Sequence, residues 1–117
     1  MIVYGGHLYV GTGTIMGVCE IWRFDGISWA PVVGGTSSMP AGFGGNNKDA
    51  MSMAVYGTEL YAGTMNDTSG CEVWRYDGSS WVQEAGALPT ADIGPGFGSA
   101  ANRRAALSIN AVSSLID

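Results

Sequence analysis

YGGHLYVGT (residues 4–12) returns fifty-two residues later as YGTELYAGT (56–64), and CEIWRFDGISW (19–29) returns at the same offset as CEVWRYDGSSW (71–81). Aligned without gaps from Tyr4–Trp29 onto Tyr56–Trp81, 14 of 26 positions are identical, against about one or two expected by chance. The match resumes beyond Trp29 and Trp81. Gly42-Phe43-Gly44 corresponds to Gly96-Phe97-Gly98, Asn47 to Asn102, and Met51-Ser52-Met53 to Leu107-Ser108-Ile109. A repeat of this period is the first thing to settle in any chain, because one supersecondary unit per period then dictates the architecture.

Within each period the residues alternate as strands do, and they are rich in Val, Ile, Tyr, Trp and Thr. In the second copy, Met51–Tyr56 and Glu59–Thr64 flank the two-residue turn Gly57-Thr58. Cys71–Tyr76 and Ser80–Glu84 flank Asp77-Gly78, a strong tight-turn pair. The first copy repeats this with Gly5-Gly6 and Asp25-Gly26. Only 100–107 shows any helical period, and it is short. Four antiparallel strands per period of about fifty residues define a propeller blade. The expected fold is therefore all-β, with residues 1–50 as one blade and 51–106 as a second. Residues 107–117 form an extra strand like the start of a third. A blade is apolar on both faces and needs neighbours, and propellers hold about four to eight blades. Two blades per chain thus predict a ring completed by homo-oligomerisation, with a homotrimer favoured over dimer or tetramer. The surplus strand would clasp the neighbouring chain.

Composition narrows the function. With 19 Gly among 117 residues and no G-x-y period, the chain is turn-rich and not collagenous. Five Lys and Arg against ten Asp and Glu leave a net charge of −5, which disfavours nucleic acid and anionic membrane surfaces as partners. No apolar run approaches the ~20 residues of a membrane span. The chain enters a strand pattern at Met1 with no basic, then apolar, leader, so a cytoplasmic location is the default expectation.

The turns Asp25-Gly26-Ile27-Ser28-Trp29 and Asp77-Gly78-Ser79-Ser80-Trp81 resemble the Asp-box, S-x-D-x-G-x-T-W, of sialidase-like propellers, with one residue fewer between Asp and Gly and with Arg-Phe or Arg-Tyr in the leading positions. The wider frame L-Y-x-G-T … E-[IV]-W-R-[FY]-D-G-x-S-W is similar to repeats of uncharacterised microbial propeller proteins. The resemblance implies structural roles: Asp25 and Asp77 cap their turns through backbone N–H groups, and Trp29 and Trp81 pack between blades. A sialidase-like enzyme would also need an arginine cluster and a Tyr–Glu pair. Arg23 and Arg75 are repeat-equivalent and read as structural, and no catalytic residue is assigned.

Cys19 and Cys71 share one repeat position. Stacked sheets lie about 10 Å apart, farther than the ~7 Å a disulfide spans, so buried free thiols are expected. One His and no suitable acidic spacing leave no metal site and no cofactor. Glu20 and Glu72, one per blade, would line a channel or lie on the surface. In a four-strand meander, the second-to-third loops and the interblade connections share one face of the disc. A ligand site there would use Phe43, Asn46, Asn47, Met65, Asn66, Phe97 and Asn102, where aromatic rings beside amides suit a glycan and would equally serve a protein partner. The competing role for the recurring Gly-Phe-Gly and Asn is to fix the interblade connection. The expected function is a non-enzymatic binding or interaction module. A diverged glycoside-acting enzyme and a structural piece of a longer propeller are the alternatives.

Overall fold

A computed structural model describes residues 1–14, 18–44 and 46–86. The expected extra strand at 107–116 and the short helical pattern at 100–107 lie outside these residues. Eight strands follow one another: β1 (Ile2–Tyr4), β2 (His7–Gly11), β3 (Ile21–Phe24), β4 (Trp29–Val33), β5 (Asp49–Tyr56), β6 (Glu59–Met65), β7 (Val73–Tyr76) and β8 (Trp81–Ala85). They form two four-stranded antiparallel sheets, each in chain order, and no helix occurs among the described residues. The second sheet starts at Asp49, before the repeat boundary at 51. Asp49 and Ala50 pair with Met65 and Thr64, and a register shift at Met51 absorbs the extra residue.

Both sheets carry the same irregularity at the same place. Ile21 pairs with Val33 and Trp22 with Pro31, leaving Val32 bulged, while Val73 pairs with Ala85 and Trp74 with Gln83, leaving Glu84 bulged. Such a bulge bends the edge strand and re-aims the inserted side chain. Pro31 is tolerated because β4 is an edge strand, where a missing N–H breaks no ladder bond.

The sheets pack face to face. Tyr9, Cys19, Ile21 and Val33 of the first meet Met53, Leu60, Ala62 and Tyr76 of the second, with Phe43 wedged among them. Tyr4, Tyr9 and Tyr76 form an aromatic cluster with centroids 5.9 to 6.2 Å apart. The Tyr4 hydroxyl donates to the Thr58 carbonyl, 2.9 Å away in the β5–β6 turn. At the loop end the sheets also share backbone hydrogen bonds: Ala50 N to Thr12 O (3.0 Å), Thr14 N to Lys48 O (2.8 Å) and Cys19 N to Asn47 O (3.1 Å). Gly11 makes this approach possible, since a Cβ there would overlap the Ala50 carbonyl oxygen.

Candidate functional site

The long connection from β4 to β5 carries the recurrent Gly-Phe-Gly and Asn, and it plugs into the second sheet. Asn47 is 2% exposed, and its amide is fully used. Nδ2 donates to Phe43 O and to Glu72 Oε1, both at 2.8 Å. Oδ1 accepts from Thr64 Oγ1 (2.8 Å) and Asn66 Nδ2 (3.2 Å). Two donors and two acceptor sites are all an amide has. Glu72 Oε1 also accepts from the Trp74 indole at 2.9 Å. A buried carboxylate is tolerable only with such partners. The Phe43 ring stacks on Trp74 (4.6 Å, 15°) and meets Trp81 edge-on (5.1 Å, 69°).

Of the residues expected on a ligand face, then, Phe43, Asn47 and Asn66 are buried in the junction. Asn66 spends its Oδ1 on the Thr68 and Ser69 amides (3.0 and 2.9 Å). Asn46 is exposed and Met65 half-buried. Phe97 and Asn102 lie outside the described residues. In the first sheet, Glu20 Oε1 accepts from the Trp22 indole at 2.8 Å, as Glu72 does from Trp74. Both Glu side chains sit at the loop end of their sheets.

Asp25 Oδ1 accepts from the Ile27 and Ser28 amides (2.8 and 2.9 Å), and Asp77 Oδ1 from those of Ser79 and Ser80 (2.8 and 2.9 Å). Gly26 and Gly78 supply the positive φ these turns require, 102° and 106°. The backbone donors hold both carboxyls below their ordinary range. Asp77, with the Ser79 and Ser80 hydroxyls added, is lowered to about 2. Trp81 stacks on Tyr76 inside the junction, whereas Trp29 stacks on Phe24 and remains 49% exposed on the outer face. The thiols of Cys19 and Cys71 are free and buried, and burial pushes Cys19 up to about 11.

A groove runs along the outer edge of the sheet junction, between Arg23, Pro31 and Val32 on one side and Tyr76 and the Gly78–Trp81 turn on the other, with Ser37–Met39 from the long connection closing one end. Its volume is about 420 Å³. Sequence reasoning paired Arg23 with Arg75 and read both as structural, but their surroundings differ. Arg75 Nη1 bonds Glu59 Oε2 at 3.0 Å, and its Nε lies 2.7 Å from Glu84 Oε1. The equivalents of Glu59 and Glu84 are His7 and Val32. Arg23 consequently has no ion pair among the described residues. The missed signal was the change in these two partner positions, one across β2 and one at the bulge. Trp81 Nε1, in the same wall, is buried with no hydrogen-bond partner among the described residues.

These features define the class of protein: an all-β chain of two stacked four-stranded antiparallel meanders with equivalent polar pins at their loop ends. No protein family, curated protein or solved structure matches it.

Proposed function

We propose that the chain is a non-enzymatic binding module, two blades of a propeller completed by self-association, whose ligand carries a carboxylate or similar anionic group and occupies the Arg23 groove. The observation that carries this is the contrast between the repeat-equivalent arginines: Arg75 is held between two carboxylates, while Arg23 makes no ion pair among the described residues and lies beside hydroxyls and aromatic rings. A guanidinium is suited to gripping a carboxylate through two parallel N–H bonds. Ser37, Ser38, Ser79 and Ser80 offer hydrogen bonds to sugar hydroxyls, and Tyr76 and Trp81 offer ring faces. An acidic glycan fits these groups better than a neutral one. Stacked meanders with repeat-equivalent contacts support the propeller reading.

Binding is favoured over glycoside cleavage because that chemistry needs a pair of carboxyls at the cleft, and the described residues that line the groove include none. The buried carboxylate of Glu72 is committed to Asn47 and Trp74. Cys19 and Cys71 are buried, and neither is among the described residues that line the groove. Calorimetric titration with a glucuronate-containing oligosaccharide and its neutral counterpart tests the reading. The acidic sugar is expected to bind the native protein and Arg75→Gln, and to lose binding in Arg23→Gln. Equal binding of the neutral sugar, or retention by Arg23→Gln, would overturn it.

A further inference from the structure

The outer face of the first sheet repeats, residue for residue, a face that the second sheet keeps buried. On β1–β4 the register places Val3, Leu8, Phe24 and Trp29 in one row, with Val10 and Trp22 in the next. Their equivalents are Val55, Leu60, Tyr76 and Trp81, then Ala62 and Trp74. Leu60 and Ala62 are fully buried and Tyr76 is 5% exposed, because the first sheet and the Phe43–Asn47 plug lie over them. Val3 is 67% exposed and Trp29 49%. The polar pin is duplicated as well. Thr64 N donates to Glu72 O and Glu72 N to Thr64 Oγ1, and Thr12 and Glu20 match both bonds, but the Thr64 hydroxyl donates to Asn47 Oδ1 where the Thr12 hydroxyl turns back to Glu20 O. Glu72 Oε1 receives both Trp74 and Asn47, whereas Glu20 Oε1 receives Trp22 and, among the described residues, no amide donor. The first sheet thus presents the receptor for a plug of Gly-Phe-Gly and Asn. The sequence motif of the plug recurs after the second sheet, as Gly96-Phe97-Gly98 and Asn102.

We infer that the outer face of the first sheet is the docking site for a second copy of this chain, engaged head to tail. The partner copy presents the second-sheet face of Tyr61, Val73 and Ala85, the equivalents of Tyr9, Ile21 and Val33, of which Tyr61 keeps surface in the single chain while Val73 and Ala85 are 6% and 7% exposed, and it supplies Phe97 to stack on Trp22 and Asn102 to donate to Glu20 Oε1. The template is the contact between the two sheets of one chain. Two different faces meet, so the interface is heterologous and the assembly either closes into a ring or grows open-ended. This deepens the self-association proposed above and rests on the same blade-stacking reading.

Two disabled variants test it. Trp22→Asp spoils the receptor, and Phe97→Asp with Asn102→Ala spoils the plug, each checked for a native circular dichroism spectrum. By light scattering the native chain is expected at a whole multiple of 12.1 kDa, and each variant alone as a monomer. An equimolar mixture is expected to give a dimer and nothing larger, because only one live junction remains per pair. Glu20→Gln keeps the shape and weakens one charge-assisted bond, so its dissociation constant should rise about tenfold. A native oligomer untouched by either variant would overturn this interface while leaving the blade reading intact. A mixture that stays monomeric would also overturn head-to-tail docking. A native monomer at high concentration would overturn both.

Discussion

Glu20 and Glu72 accept the indole N–H of a tryptophan two residues on, at 2.8 and 2.9 Å, in sheets that are copies of each other. Glu72 is 6% exposed, with Asn47 bound to it, while Glu20 is only half-buried. Trp74 lies under Phe43, and no aromatic ring among the described residues stacks on Trp22. Near-identical local sequence therefore yields two environments, and the difference comes from what packs on the equivalent face of each sheet. The arginines differ in the other direction. Arg75 is held by Glu59 and Glu84, and Arg23 is released by His7 and Val32. In the first case the neighbours differ and the residues do not. In the second, the sequence itself has diverged.

The comparison is broken most severely at Asn47. Asn47→Ala leaves Glu72, Thr64 and Asn66 with lost partners in a buried site, and unfolding in urea should show a loss of about 3–5 kcal/mol. Trp74→Ala opens the space beneath Phe43 and should cost about 3 kcal/mol or more. Trp22→Ala, measured at protein concentrations where the chain is monomeric, should cost about 1 kcal/mol or less, because no ring among the described residues stacks on it as Phe43 does on Trp74. Equal losses for the two tryptophans would mean that the first sheet's outer face is covered within the chain.

A smaller effect separates the two capped turns. Asp77 has its pKa lowered to about 2, chiefly by the Ser80 and Ser79 amides. A carboxyl depressed on folding stabilises the native state above its unfolded pKa, near 4, and that contribution fades as the pH falls through about 2. Asp77→Asn should therefore flatten the acid side of the stability profile between about pH 4 and pH 2. Asp25→Asn should flatten it less, since Ile27 stands where Ser79 adds a hydroxyl bond. Carboxyl titration by NMR would order the pair directly. The mildest contrast is chemical. Cys19, fully buried and raised to about 11, should react with a thiol reagent more slowly than Cys71 in the native protein.

Strand order, the Gly57-Thr58 and Asp77-Gly78 turns and the stacking of two equivalent sheets were legible because they depend on local alternation and on residues that permit a positive φ. Five boundaries of the second unit moved. β5 begins at Asp49, β6 ends at Met65, β7 begins at Val73 and β8 runs from Trp81 to Ala85, because ladder pairing across a bulge sets where a strand ends, and no single strand's pattern contains it. The candidate site was less legible. Phe43, Asn47 and Asn66 carry the residue types of a sugar site, and the structure spends them on one another and on Glu72. Asn46 and Met65 alone of the described set keep surface. The Arg23 groove was hidden by the repeat itself, which made a diverged arginine look like a copied one.

By itself the sequence determined the period, the four strands of each unit and the capped turns, since each arises from contacts within a few residues along the chain. Only the tertiary structure decided which face of each sheet is buried and which amide reaches which carboxylate. Those outcomes depend on a neighbouring sheet brought within hydrogen-bonding distance, and two identical segments cannot encode a difference that lies in what packs against them.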